Sequence, residues 1–276
     1  MPAKTNKPDK HLLYQYSVQN PRYEVDFMRR IFRKSRGRPP LRLREDFCGT
    51  AVLACEWALR VRGGNSVGLD LDEETLEWAK ENNVGPLGPK SSKIELSCCD
   101  VLEAEDYQSD IVAAFNFSYC VFKERENLLA YFQRAHETLA GEGILFLDLY
   151  GGPEAQVAQE ESREMHEEGL CFEYVWDQES YNPITGETIC HIHFDLPDGS
   201  RLEKAFSYDW RLWSLPELKD LLEEAGFRKV DVYWEGTDQS NGGGNGVFRL
   251  SRKGDDAQSG ICYLVAEKYP TRKRDS

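Results

Sequence analysis

The chain has 276 residues, 40% of them hydrophobic and 12% aromatic, enough for one large globular core and a smaller second unit. No apolar run has the length of a membrane helix and no secretory signal stands at the start, so the sequence reads as that of a cytoplasmic protein. A formal net charge of −14 disfavours a polyanionic partner, and eight cysteines without paired spacing read as free thiols in a reducing compartment.

Residues 1–10 are polar and Lys-rich and read as a tail, followed by Tyr14, Gln15 and Tyr16. Glu24 to Lys34 has the pattern of an amphipathic helix, expected to be exposed, with Pro39-Pro40 as a linker behind it. Arg29, Arg30, Arg33, Lys34, Arg36, Arg38, Arg42 and Arg44 make this the dense basic stretch of the chain. A solvated helix face accounts for it better than an RNA contact does. Leu43 to Glu45 then reads as a strand end, Cys48-Gly49-Thr50 as a tight turn, and Ala51-Val52-Leu53-Ala54-Cys55 as the opening of a helix. Such a junction suits a nucleotide-type ligand. Backbone approaches closely at the glycine, the helix start offers unpaired N–H groups, and the Glu45 carboxylate can hold an amine.

Two more strands end in acid. Ser66 to Leu69 delivers Asp70 about twenty residues past the turn, the spacing at which a carboxylate accepts from ribose hydroxyls. Asp72, ahead of Glu73 and Glu74, reads as helix-start chemistry. Ile94 to Cys99 delivers Asp100, and Asp110 to Phe117 is a strand apolar on both faces. A helix over about Glu126 to Ala140 is expected to stop at Gly141-Glu142-Gly143, and a fifth strand runs Gly143 to Tyr150. Cys171 to Trp213 instead alternates at period two between turn signals, which predicts an antiparallel meander of three or more strands. Leu215 to Ala225 is an amphipathic helix, and Lys229 to Trp234 and Gly260 to Lys268 are closing strands. The run Asn241 to Gly246 reads as a flexible connection between them, since no Lys and Ser/Thr follow at phosphate-loop spacing.

Glu45-Asp46-Phe47-Cys48-Gly49-Thr50-Ala51 resembles motif I of the class I S-adenosylmethionine-dependent methyltransferases, an acidic residue followed by Leu-Gly-Cys-Gly-Thr-Gly. Cys48-Gly49-Thr50 match directly, whereas Phe47 stands for the first glycine and Ala51 for the last. The likeness covers roughly residues 41–150 and 214–268. It implies an α/β fold, a doubly wound, seven-stranded Rossmann-like sheet whose last strand inserts antiparallel, with an added antiparallel β subdomain. It also implies S-adenosyl-L-methionine as methyl donor, held by Glu45, Phe47, Cys48, Gly49, Thr50, Asp70, Leu71 against the adenine, Asp100 at its amino group, Val101 through its N–H, Asn116, and Tyr16 folding over from the N-terminus. The expected organisation is an N-terminal tail and lid helix (1–40), a methyltransferase core (41–152 and 214–268), a β insertion roofing the acceptor or pairing two subunits (153–213), and a tail (269–276).

Acceptor-side candidates are fewer. Tyr208 to Trp213 is dense in aromatics, with Trp176 and Trp234 beside it, so Trp210 is a candidate for substrate contact and Arg211 for pairing a carboxylate. His191, on one strand face with His193, and Glu235 are candidate bases. No Cys, Asp or Glu cluster joins the histidines into a metal site. These residues read together as methyl transfer to a small-molecule nucleophile, nitrogen or oxygen first. A tRNA substrate and a catalytically silent donor-binding protein are the alternatives.

Overall fold

The computed structural model describes residues 8–238, 244–254 and 259–269; Asn241 to Gly243 and the outer parts of both tails lie outside these. Along the chain come α1 (Lys10–Val18), α2 (Pro21–Arg36), β1 (Arg42–Asp46), α3 (Val52–Arg60), β2 (Asn65–Asp70), α4 (Glu73–Ala79), β3 (Ile94–Cys98), β4 (Ser109–Ala114), α5 (Arg125–Thr138) and β5 (Leu139–Gly151). Four strands follow, β6 (Gln159–Glu167), β7 (Leu170–Tyr181), β8 (Glu187–Asp195) and β9 (Arg201–Arg211). The chain ends with α6 (Leu215–Glu224), β10 (Lys229–Thr237), β11 (Gly244–Ser251) and β12 (Gly260–Glu267). It divides into two compact units: the described residues of 21–154 with 213–276, and those of 1–20 with 155–212. Among the described residues no helix is long and apolar enough to cross a membrane.

The larger unit holds a sheet in the order β11-β10-β12-β5-β4-β1-β2-β3. β5, β4, β1, β2 and β3 are parallel, and β12 lies antiparallel between β5 and β10. Seven strands thus take the expected Rossmann-like arrangement. β11 is an eighth, antiparallel on the outer edge of β10, so Gly244 to Gly246 belong to a strand and not to a connection. The middle strands read as continuous apolar runs because helices cover both faces; β4 is buried along its whole length.

The basic helix is a core element, which corrects the exposed reading. α2 buries Val25, Phe27, Met28, Ile31 and Phe32 with Leu43, Ile111, Phe146 and Tyr263 of the sheet. Only its outer face is basic, where Arg29, Arg30, Arg33 and Lys34 line a shallow depression with Asp26 and Gly37. Two arginines of the stretch are internal. Arg44 is wholly buried against Asp46 (2.8 Å), and Arg36 pairs with Glu267 (2.8 Å).

α5 also stops earlier than expected, at Thr138, and Gly141 to Gly143 lies within β5. Lys268 Nζ donates to the carbonyls of His136 (2.5 Å) and Leu139 (2.9 Å). Those end-of-helix acceptors are satisfied without a glycine cap.

The smaller unit is a four-stranded antiparallel sheet, β6-β7-β8-β9, with α1. Leu13 of α1 is buried with Phe172, Ile192, Phe194 and Leu196. β6 is the strand that the meander reading omitted. Gln159–Glu167 is polar along nearly its whole length because it is an exposed edge, where charge guards against further pairing.

Candidate functional site

Register brings the acidic strand ends together. Glu45 lies opposite Gly68 of β2 and Ala113 of β4, and Asp70 lies opposite Cys98 of β3. Asp100, two residues beyond β3, accepts from Leu102 N–H (2.9 Å) and so starts the short turn of helix that contains buried Val101. Asp72 caps α4, accepting from Glu74 and Thr75 N–H, as the sequence reading has it.

The turn between β1 and α3 is fastened to β2 at two points. Cys48 N–H donates to Leu69 O (2.8 Å), and Gly49 N–H donates to Asp70 Oδ2 (2.7 Å). Asp70 Oδ1 accepts from Asp72 N–H (3.0 Å), so each carboxylate oxygen keeps a further lone pair for a ligand hydroxyl. Phe47, Gly49 and Ala51 all have left-handed backbone, with φ of 56°, 50° and 57°. The two positions that depart from the motif's glycines therefore keep the conformation that glycine favours. Gly68 is needed for closeness: a Cβ there would sit 2.8 Å from Cys48 Sγ and 2.9 Å from Leu96 Cδ2. Ala51 has no side chain to cap α3, and the Glu45 carboxylate does so instead, accepting from Ala54 N–H (2.9 Å).

The loop has the marks of a ligand cradle. A Cβ on Gly49 would meet nothing within 4 Å, Thr50 Oγ1 is buried without a hydrogen-bond partner, and Leu71 is 68% exposed at the tip of β2. A buried orphan hydroxyl and an apolar side chain held in water are both unfavourable alone. They fit a nucleoside-type group lying along β1, β2 and β3.

Beside the loop lies a group of buried carboxylates. Asn116 and Phe117, at φ of 58° and 59°, donate their N–H groups to Asp148 Oδ2 (2.7 Å) and Oδ1 (2.9 Å), which fixes the turn after β4. Burial still pushes Asp148 up to about 7. Glu24 of α2 is pushed up to about 8, by burial first and then by the charge of Asp148. Glu45 is also held well above the usual carboxylate range, chiefly by burial and then by Glu24, Asp70 and Asp46 against the Ala54 hydrogen bond. The sequence reading did not single out Glu24 or Asp148. Asp148 puts an acid after the apolar run of β5 as Asp70 does after that of β2, and Glu24 falls in the apolar stripe of its own helix, at i to Phe27, Met28 and Ile31. Both signals stand in the sequence.

Of the remaining candidates, Tyr16, Trp210, His191 and Arg211 belong to the smaller unit and Glu235 to the larger. Tyr16, expected over the donor, is in the smaller unit, where its hydroxyl donates to Glu168 (2.8 Å). Trp210 is 4% exposed and stacks on Tyr208 with ring centroids 4.3 Å apart. His191 is buried and held on both ring nitrogens, by Ser207 Oγ (2.8 Å) and Glu179 Oε2 (2.8 Å). It is a satisfied structural histidine, not a base waiting for a substrate. Arg211 ends β9 opposite Glu187. Glu235 accepts from Gly246 N–H (2.7 Å) across the β10–β11 pair, on a strand four places from β1. The structure brings the donor-side residues of the larger unit together.

Residues 46–147 match the family model of a methyltransferase domain. That stretch is similar to a methyltransferase domain. Solved structures share the chain's fold over almost their whole length. An S-adenosylmethionine-dependent methyltransferase from Clostridium acetobutylicum ATCC 824 is 16% identical, with 95% of this chain and 98% of that one covered at a TM-score of 0.67. CalS10, an amino pentose methyltransferase from Micromonospora echinaspora, is 17% identical, with 94% and 95% covered at 0.66. The sugar N-methyltransferase KedS8 from Streptoalloteichus sp ATCC 53650 is 14% identical, with 95% and 93% covered at 0.65. No curated protein sequence matches the chain at significant similarity. The matched segment of the methyltransferase domain begins at the last residue of β1 and ends within β5, so it takes in the turn, Asp70, Asp100 and Asn116.

Proposed function

We propose that this protein transfers a methyl group from S-adenosylmethionine to the nitrogen or oxygen of a small molecule. The observation that carries the reading is the cradle itself: Glu45, Asp70 and Asp100 on adjacent strand tips, around a turn fastened to Asp70 and bearing the orphan Thr50 hydroxyl. In it Glu45 faces the donor's amino group, Asp70 the ribose hydroxyls, and Asp100 with the Val101 N–H the adenine edge, with Leu71 against the ring and Asn116 beside the turn. The donor, when bound, supplies a methyl group already activated by its sulfonium. The chain therefore has to orient the acceptor and exclude water, and needs a base only for an acceptor that arrives protonated. A small acceptor is supported by the net charge of −14 and by neighbours whose names specify an amino pentose and a sugar nitrogen. The inserted sheet, a folded unit of its own, is proposed to select that acceptor.

Calorimetry with S-adenosylmethionine and S-adenosylhomocysteine tests the reading. Binding at micromolar affinity or better is expected, and Asp70→Ala should weaken it by about 1.5–3 kcal/mol, the worth of a lost charge-assisted hydrogen bond. No heat from either ligand with folded protein would end the proposal.

A further inference from the structure

We infer that Glu24 and Asp148 form a subsite for an acceptor that carries an amine, with Glu24 taking the proton that frees the nitrogen lone pair. The inference rests on the donor reading above and adds to it the chemical class of the acceptor.

Glu24 is 8% exposed, and no hydrogen bond or ion pair holds its carboxylate among the described residues. A buried carboxylate without a partner is costly, and native chains seldom keep one unless a cation or proton arrives there. Its surroundings sharpen the point. The charge that acts on it is that of Asp148, and its own charge acts in turn on Glu45, so its charged surroundings are acidic. Asp148 is held by two amides and so is fixed in place, with lone pairs left over.

Position separates this pair from the donor. The acids assigned to the donor stand on β1, on β2 and just past β3, whereas Asp148 lies in β5 directly after its last residue paired to β4, on the far side of β4. Glu24 approaches from the first turn of α2, which packs on β5 and β12. Seating an ammonium between Glu24 and Asp148 favours the ionised form of Glu24, whose own proton passes to solvent, and the ammonium then gives one proton to that carboxylate. One N–H bond breaks, its electron pair stays on nitrogen as the nucleophilic lone pair, and Glu24 becomes the neutral acid. An alcohol gains nothing comparable from two carboxylates, so the pair favours amines over alcohols of the same skeleton.

The test uses methylammonium, with methanol as the uncharged control, added to full-length protein saturated with S-adenosylhomocysteine. Glutamate labelled at the carboxyl carbon reports on Glu24 by NMR, and its signal is assigned by its loss in Glu24→Gln. Methylammonium should shift that signal saturably and methanol should not. Glu24→Gln should weaken methylammonium binding, followed by calorimetry, at least tenfold while the affinity for S-adenosylhomocysteine stays within twofold. Asp148→Asn, which removes the charge and keeps an acceptor for one of the two amides, is the second variant and should weaken methylammonium in the same way. Equal methylammonium binding in wild type and either variant, or none in wild type, overturns the inference. So does a tenfold loss of S-adenosylhomocysteine affinity in Glu24→Gln, which would place Glu24 at the donor's own amine. Binding of S-adenosylhomocysteine to wild type, measured before any amine is added, tests the donor reading separately.

Discussion

Phe47 and Ala51 sit in one turn, and both hold the left-handed backbone, at φ of 56° and 57°. For a residue with a Cβ that conformation costs about 1–2 kcal/mol. The loop therefore keeps the shape that glycines would give it, at the expense of some stability. Ala51→Gly should raise stability by about 0.5–1 kcal/mol, because relief of strain exceeds the entropy that glycine adds to the unfolded chain. Phe47→Gly should go the other way, by about 1–2 kcal/mol, since it removes the ring packed on Tyr131 (5.6 Å) and Phe122 (6.1 Å). Urea unfolding measures both, and a loss of stability in Ala51→Gly would show that the turn is not strained there.

Stability should fall as pH rises from the ordinary carboxylate range toward 8. Glu24 is held up to about 8 and Asp148 to about 7, so through that window the folded chain keeps protons that the unfolded chain has lost. The cost is absent below the unfolded values and complete above the folded ones, and for Glu24 alone it is on the order of 4 kcal/mol. Glu24→Gln should make the decline between pH 5 and 8 shallower, with Asp148 and Glu45 still contributing to it. Unfolding curves for wild type and variant that stay parallel over that range would mean Glu24 is ionised in the folded protein throughout.

Trp210→Ala should act on folding before it acts on turnover. The indole is buried, stacked on Tyr208 and 6.3 Å from the ring of Trp176, and truncating such a side chain costs about 3–5 kcal/mol. Differential scanning calorimetry should show earlier melting. A variant that melts with wild type yet loses methyl transfer would return Trp210 to the acceptor.

Binding to bulk tRNA should be weak even at low salt. The outward face of α2 is basic, but it is one short helix face on a chain of net charge −14. Replacing Arg29, Arg30, Arg33 and Lys34 together by Gln should leave small-molecule turnover unchanged. Label passing from the donor into tRNA, and lost in that variant, would make RNA the substrate.

The residues proposed for the donor were legible because each stands at or just past a strand end, and strand ends are marked by a change from apolar to acidic that survives without an alignment. The residues proposed for the acceptor were not, because what points to them is spatial. Glu24 and Asp148 are far apart in sequence, and only the packing of α2 on the sheet sets them side by side. His191 misled for the same reason in reverse: its two partners, Ser207 and Glu179, come from neighbouring strands that the pattern alone does not pair. In the fold, the misses were β6 and β11, polar or glycine-rich edge strands whose pairing is made by the neighbour and not by their own apolar residues.

The smaller unit is assembled from two stretches that the ribosome makes well apart. α1 contributes Leu13 to its core, and Tyr16 bonds to Glu168, 152 residues later. At cellular rates of synthesis, roughly 5–20 residues per second, α1 emerges on the order of ten seconds before the strands that shelter it. Through that interval the apolar side of α1 has no native surface to lie on, so during translation it is a segment for chaperones to meet.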